Sequence, residues 1–302
     1  MGEIADALRR TRGVLFPTPP EPTAPSSSTS SVLPGASDAS RVPRQRPLPP
    51  GQRVDTIEPT RPAIVMRDDP GVENCRHLAV KLRAELDRRN VGVVAIVSGV
   101  RGEGKTTVAC DLALALASIS GAGEVALLDL DLRNPSVARY LGLQVEQGIE
   151  DFFHGQHTLD SARVEVARPG LDIFPALRPV RDAHELLVTP ALAKLIAELR
   201  RRYAMVVIDT PPTLVVPDAS LILREVPACV AVARAGVTRA RTFRDLVEAL
   251  PQGRLVGEVL NGSRPGPQHY YGYYGAAQDD ESSPRRRRRG RVGVEEQEKE
   301  EE

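Results

Sequence analysis

The stretch SGVRGEGKTT, residues 98–107, decides the fold predicted for this chain. It directly follows VGVVAIV (91–97), a run of β-branched and small apolar residues that predicts a buried strand, and it opens a stretch with helical periodicity. Its residues Gly99, Gly104, Lys105 and Thr106 satisfy the spacing G-x-x-x-x-G-K-[ST]. Between a strand and a helix, this spacing is typical of a phosphate-binding loop. The alternative is a glycine-rich turn without a ligand.

The residue types in the loop match the chemistry of phosphate binding. Gly102 and Gly104 allow the backbone to turn its N–H groups toward a β-phosphate, and the dipole of the following helix adds to the attraction. Lys105 supplies a cation to the β- and γ-phosphates, and Thr106 offers a hydroxyl to Mg²⁺. The sequence therefore predicts ATP and Mg²⁺ as cofactors. The predicted cofactor-binding residues of the loop are Gly102, Glu103, Gly104, Lys105, Thr106 and Thr107.

Two further segments place carboxylates at the ends of predicted strands. VALLDLDLRNP (125–135) carries Asp129 and Asp131, which alternation directs to the same side, and MVVIDTPP (205–212) ends an apolar run with Asp209. In an open parallel sheet the ligand crevice lies beyond the carboxyl ends of the strands. Asp129 and Asp131 are therefore predicted to reach Mg²⁺, its waters or an attacking nucleophile, and Asp209 to bind the metal through water. The alternative for the first pair is an aspartate that caps the following helix.

The pattern around these segments predicts the fold class. Apolar runs at 124–130, 171–176, 203–210, 228–234 and 254–261 alternate with helical stretches at 105–119, 135–142, 190–202, 217–224 and 238–250. Such alternation indicates an α/β domain of three layers, with a mostly parallel sheet and right-handed crossovers, as in P-loop NTPases. Asn261, at the end of the last run, is predicted either to contact adenine or to be a turn residue before Gly262.

Composition divides the 302 residues into four parts. Residues 1–62 are predicted to be a disordered tether, because they are rich in proline, serine and threonine and poor in apolar residues. Residues 63–90 are predicted to be a lead-in segment with an amphipathic helix, and residues 91–262 to be a P-loop ATPase domain. Residues 263–302 are predicted to be a disordered tail with a tyrosine cluster, an arginine run and a glutamate run.

Charge and cysteine content exclude several classes of protein. The formal net charge is zero, so no nucleic-acid partner is expected. The arginines at 285–291 and the glutamates at 295–302 indicate a solvated tail, or alternatively contacts with anionic lipid or with another copy of the chain. Three cysteines at unrelated spacings argue against disulfides and zinc, and no secretory signal or long apolar run is present. A cytoplasmic protein is therefore expected.

Six motifs, in this order, resemble the bacterial tyrosine kinases (BY-kinases) of capsule and exopolysaccharide systems, a MinD/ParA-like branch of P-loop ATPases. They are SGVRGEGKTT, LLDLDLRNPSVARYLGL (127–143), HELL (184–187), VVIDTPP (206–212), VARAGVTR (232–239) and VLNG (259–262). The resemblance implies phosphoryl transfer from ATP to tyrosine. It implies that Lys105 contacts phosphates, that Thr106, Asp131 and Asp209 arrange Mg²⁺, and that Asp129 prepares the attacking tyrosine oxygen. The implied phosphoacceptors are Tyr270, Tyr271, Tyr273 and Tyr274 of HYYGYYG (269–275).

The resemblance also implies partners. These are a membrane-embedded co-polymerase that controls polysaccharide chain length and activates the kinase, a cognate tyrosine phosphatase, and other copies of the chain. The kinase is then expected at the inner face of the membrane through its partner. The family's ring-forming motif E-x-x-R-x-x-R reads Glu73, Arg76 and Ala79, so the second arginine is missing. Assembly of several copies into a ring is therefore not predicted from the resemblance.

Val100 stands where partition and septum-placing ATPases carry a signature lysine, which favours the kinases. The alternatives are a nucleotide-switched positioning ATPase of the MinD/ParA type and a non-catalytic adaptor that binds nucleotide in an export complex.

Overall fold

The computed structural model describes residues 51–55, 57, 70–121 and 123–263. These residues contain one sheet of eight strands. In chain order the strands are β1 (Gln52–Val54), β2 (Val93–Ser98), β3 (Val125–Asp129), β4 (Val164–Val166), β5 (Leu171–Phe174), β6 (Met205–Asp209), β7 (Ala228–Arg234) and β8 (Leu255–Asn261). Predictions for the chain before residue 51 and after residue 263 lie outside the described residues.

Helices lie between most successive strands, as the alternating pattern predicts, but β4 is followed directly by β5, and the helix at Ile149–Phe153 was not predicted. The described helices are α1 (Pro70–Arg89), α2 (Lys105–Ile119), α3 (Val137–Leu141), α4 (Ile149–Phe153), α5 (Ala183–Val188), α6 (Pro190–Arg202), α7 (Asp218–Glu225) and α8 (Ala240–Ala249). A short 3₁₀ helix spans Leu159–Ala162.

The strand order is β1-β4-β5-β3-β6-β2-β7-β8. All neighbouring strands are parallel except β4 and β5, which are antiparallel. Because the carboxyl ends of β2, β3, β6, β7 and β8 meet at one edge of the sheet, the loops that follow these strands lie together there.

Helices cover both faces of the sheet, and this confirms the three-layer architecture. On one face, Leu86 of α1 and Leu112 of α2 are buried in one apolar layer with Val207 of β6. On the other face, Val206, the preceding residue of the same strand, is buried in a second layer formed with α6, α7 and α8. The alternation of Val206 and Val207 between two apolar layers explains why the central strands are continuous apolar runs.

The predicted tether requires one correction, at strand β1. Residues 52–54 lie within the range predicted to be disordered, yet they pair in parallel with β4, with Gln52 opposite Val164 and Val54 opposite Val166. Ile57 is buried in the apolar layer that contains α1 and α2. The stabilising partner of these three residues lies more than a hundred positions away, so their local composition does not reveal it.

Helix α1 carries the motif that is compared with the ring-forming motif of the kinases. Arg76 and Glu73 lie on its exposed side, with 3.7 Å between Nη1 and Oε2. Ala79, at the place of the missing arginine, is fully buried in the apolar layer beneath the helix. An arginine at this position would therefore point into the core of the domain.

Among the helices of the described residues, none combines the length and the apolar character that crossing a membrane requires. All three cysteines, Cys75, Cys110 and Cys229, are free.

Candidate nucleotide-binding site

The phosphate-binding loop joins the end of β2 to the start of α2, as predicted. Gly102 and Gly104 have φ angles of +81° and +94°, which lie in the left-handed region that favours glycine. Lys105 is the first residue of α2 and is buried, and Thr106 and Thr107 follow in the first turn. The loop therefore enters the helix through a left-handed turn, a geometry that exposes backbone N–H groups to an anion.

Two residues predicted to bind the cofactor also stabilise the loop itself. The carboxylate of Glu103 is buried and accepts a hydrogen bond from the N–H of Val100 at 2.9 Å. The Asn261 side chain, at the end of β8, donates from Nδ2 to the carbonyl oxygen of Glu103 at 3.0 Å. Asn261 thus joins the last strand to the loop. Its contact with adenine stays a prediction.

Thr106 and Asp209 form the centre of the predicted metal site. The Thr106 hydroxyl donates to Oδ2 of Asp209 at 2.6 Å. Asp209 is fully buried, and its other oxygen, Oδ1, has no hydrogen-bond partner among the described residues. A buried carboxylate oxygen without a partner, beside the hydroxyl of a phosphate-binding loop, fits a Mg²⁺ ligand.

The composition of this group also fits Mg²⁺. The described residues contain no group of three His, Cys, Asp or Glu side chains that would enclose a metal. Mg²⁺, however, is usually bound through one or two carboxylates together with substrate phosphates and water. Thr106, Asp131 and Asp209 are therefore suited to hold Mg²⁺ together with a nucleotide.

Burial raises the pKa values of the carboxylates of the site. Desolvation raises the pKa of Asp209 to about 6, against the opposing effects of the Lys105 ammonium and the Thr106 hydroxyl. Desolvation also raises the pKa of Asp131, where Lys105, the N–H of Asn134 and Arg101 oppose it. The positive charge of Lys105 thus favours the ionised form of both carboxylates, the form that binds a metal.

Asp129 is fully buried, like Asp209, and binds backbone groups. It is the register partner of Asp209 on the neighbouring strand. Its Oδ1 accepts from the N–H of Asp131, and its Oδ2 accepts from the N–H groups of Ser136 and Val137, each at 3.1 Å. The structure therefore shows the helix-capping alternative for Asp129. Desolvation and the nearby Asp209 raise its pKa, and its role toward a tyrosine stays a prediction.

The sequence did not single out two residues of the loop between β3 and α3. The Ser136 hydroxyl lies 2.9 Å from that of Thr106. Arg133 donates from Nε to Oδ2 of Asp218 at 2.6 Å and from Nη2 to Oδ1 at 3.2 Å, and Asp218 is buried at the start of α7. Both side chains fix the loop that carries Asp131. No local pattern signals them, because their partners are distant in sequence.

Comparison with known proteins finds a P-loop NTPase family model and several tyrosine-protein kinases. A family model of the ParA group, described as the NUBPL iron-transfer P-loop NTPase, matches residues 90–225. The tyrosine-protein kinase YwqD of Bacillus subtilis is 31% identical over 194 residues, which are 64% of this chain and 81% of YwqD. The putative tyrosine-protein kinase EpsB of Ralstonia nicotianae is 27% identical over 208 residues, 68% of this chain. The match spans only 27% of EpsB, so this chain corresponds to about a quarter of that relative.

Comparison with solved structures also finds tyrosine kinase domains. The VpsO kinase domain superimposes with a TM-score of 0.58 at 31% identity, covering 64% of this chain and 96% of that domain. The kinase domain of the Escherichia coli tyrosine kinase ETK superimposes with a TM-score of 0.64 at 25% identity, covering 70% and 84%.

Proposed function

This chain belongs to the family of bacterial tyrosine kinases, and we propose that it transfers the γ-phosphoryl group of ATP to tyrosines of its own C-terminal tail. The observation that supports phosphoryl transfer most directly is the contact of Thr106 with Asp209 behind the phosphate-binding loop. It leaves one buried carboxylate oxygen of Asp209 without a partner among the described residues. This arrangement suits Mg²⁺, which Thr106 and Asp209 would hold and which would supply positive charge to stabilise the phosphoryl group during transfer.

The residues of the chain then have distinct roles in the proposed reaction. The loop and Lys105 bind the phosphates, while Thr106, Asp131 and Asp209 hold the metal. A tyrosine oxygen attacks the γ-phosphorus, the bond to the β,γ-bridging oxygen breaks, and ADP leaves. Because the pKa of free tyrosine is about 10, its proton needs an acceptor at neutral pH.

Asp129 is the proposed acceptor of that proton. An ionised carboxylate has about four acceptor positions, and the three backbone N–H groups bound to Asp129 occupy three of them. Its raised pKa makes it a better base than an exposed aspartate, since burial disfavours the charged form.

The proposed acceptors are Tyr270, Tyr271, Tyr273 and Tyr274, which lie outside the described residues. A tail in which a glycine follows each tyrosine pair can present several hydroxyls in turn, to its own site or to that of another copy. The proposed role in the cell is the regulation of exopolysaccharide or capsule polymerisation or export. We further propose activation by a membrane-embedded co-polymerase, which places the kinase at the inner face of the membrane, and reversal by a cognate phosphatase.

Phosphorylation of the purified chain tests this proposal. With ATP, Mg²⁺ and the cytoplasmic segment of the genomically neighbouring co-polymerase, mass spectrometry is expected to find phosphate on residues 270–274. Lys105→Met is expected to abolish it, because the variant loses the cation that binds the β- and γ-phosphates. A variant with all four tail tyrosines changed to phenylalanine is the matched control, which keeps the nucleotide site and loses only the acceptors.

Two other outcomes contradict the kinase assignment. Release of inorganic phosphate that a partner stimulates, without phosphotyrosine, indicates a positioning ATPase of the MinD/ParA type. Normal polysaccharide export in cells with the double variant Asp129→Asn and Asp131→Asn indicates a non-catalytic adaptor.

A further inference from the structure

A series of hydrogen bonds joins the phosphate-binding loop to the turn after β7. The hydroxyl of Thr238 donates to Oε1 of Glu103, in addition to the N–H of Val100 that donates to Oε2. The same hydroxyl accepts from the N–H of Arg234 at 2.8 Å. Thr238 and Glu103 are both buried, with 6% and 1% of their surfaces exposed. Every group in this chain of contacts therefore has a partner.

Further contacts reach the same loop from the same side of the sheet. The guanidinium of Arg234 donates from Nη1 to the carbonyl oxygen of Gly102 at 2.9 Å. Asn261 donates to the carbonyl oxygen of Glu103 at 3.0 Å. Residues 102 and 103 of the loop are thus held by side chains more than 130 positions later in the sequence, and residue 100 is held through the Glu103 carboxylate. The loop is braced by the ends of β7 and β8.

The orientation of Glu103 has a consequence for nucleotide binding. A carboxylate directed at the phosphates would repel them, whereas this one is turned inward and binds one backbone N–H of the loop itself. Its charge is compensated by two donors, and the remaining N–H groups are left for an anionic ligand. A loop that is already in its binding shape does not lose further conformational freedom when the nucleotide enters.

We propose that Thr238 is a positioning residue for the phosphate-binding loop, which acts through the Glu103 carboxylate and raises the affinity for nucleotide. It is not proposed to touch the nucleotide. This inference rests only on nucleotide binding, which is the first step of the proposed function, and it does not depend on whether a tyrosine accepts the phosphate.

The test is a titration of the full chain with the fluorescent nucleotide mant-ADP in the presence of Mg²⁺. Thr238→Val keeps the shape of the side chain and removes the hydroxyl, which leaves Glu103 Oε1 and the N–H of Arg234 without their shared partner. The dissociation constant is expected to rise about tenfold, since a hydrogen bond to a charged group is lost. Thr238→Ser keeps the hydroxyl and is expected to bind within about twofold of the wild type.

Thr213→Val is the matched control. Thr213 is also buried, its N–H donates to the carbonyl of Ser98 just before the loop, and its hydroxyl has no hydrogen-bond partner among the described residues. Its replacement is expected to leave the affinity unchanged. All variants are compared at a temperature at which circular dichroism shows them folded, so that a general loss of stability does not change the dissociation constant.

A second measurement uses the unmodified protein. If the loop is preset, the N–H of Val100 exchanges with solvent about equally slowly with and without nucleotide, as read by hydrogen exchange with fragment-level mass spectrometry. The proposal is overturned if Thr238→Val binds as tightly as the wild type, if Thr213→Val weakens binding equally, or if Val100 is protected only when nucleotide is bound. A chain that binds mant-ADP as expected but forms no phosphotyrosine contradicts the proposed kinase function alone.

Discussion

Alanine substitutions at two glycines of the phosphate-binding loop separate the cost of backbone strain from the cost of a steric clash with a neighbouring side chain. Gly102 and Gly104 both have positive φ angles, +81° and +94°. A Cβ atom at residue 102 would meet no atom within 4 Å, whereas one at residue 104 would lie 1.9 Å from Nδ2 of Asn261. Alanine at either position is strained, but only alanine at position 104 must also displace the Asn261 side chain.

The expected changes in the free energy of unfolding follow from these two differences. An alanine in the left-handed region costs about 1–2 kcal/mol, so Gly102→Ala is expected to lower the free energy of unfolding by that amount. Gly104→Ala is expected to lower it by about 1 kcal/mol more, because the hydrogen bond from Asn261 to the carbonyl of Glu103 is lost as well. Urea denaturation at equilibrium measures both values.

A double-mutant cycle provides the critical comparison. Asn261→Ala is expected to cost about 1 kcal/mol in the wild type and in Gly102→Ala, since it removes the same hydrogen bond in both. In Gly104→Ala it is expected to cost almost nothing, because that bond is already broken. If Asn261→Ala destabilises all three backgrounds equally, Asn261 does not lie against Gly104, and the geometry described for the loop is wrong.

Two other substitutions test the metal site and a distant part of the core. Thr106→Ala removes a hydroxyl that contacts Asp209 at 2.6 Å and that is proposed to bind Mg²⁺, so mant-ADP affinity is expected to fall severalfold with Mg²⁺ and to change little with EDTA. Equal weakening in both conditions would contradict a metal role. Tyr203→Phe removes a buried hydrogen bond of 2.6 Å to Asp172 and is expected to cost about 1–3 kcal/mol, seen as a melting temperature lower by several degrees. A melting temperature equal to that of the wild type would show that this bond does not stabilise the domain.

Local pattern was sufficient to predict the central elements of the fold. Helices α2 and α6 span the predicted residues 105–119 and 190–202. The start of α6 is marked by the capping side chain of Thr189 and by Pro190, whereas the start of α2 is marked by the phosphate-binding motif that precedes it. Strands β2, β3 and β6 were equally visible, since strands buried on both faces are continuous apolar runs. The short strands β1 and β4 were missed, because three residues carry no period and depend on pairing.

The candidate site was predictable in its residue types and less so in its contacts. The spacing of Lys105 and Thr106 located the loop, and the strand ends located the aspartates. The sequence left open whether Asp129 faces a ligand or caps a helix, because both outcomes require the same residue at the same strand end. The inward orientation of Glu103 depends on Thr238, which is 135 positions away, and no local rule identifies such a partner.

The order of the strands determines where the chain can be anchored without approaching the nucleotide site. Strands β1 and β8 lie at opposite edges of the sheet, seven strand intervals apart, which is about 34 Å at the usual spacing. The phosphate-binding loop follows β2, two intervals or about 10 Å from β8 and five intervals or about 24 Å from β1. An anchor fixed to the chain just before Gln52 is therefore remote from the nucleotide. The molecule can be held by that edge while the chain that continues beyond Asn261 starts beside the loop.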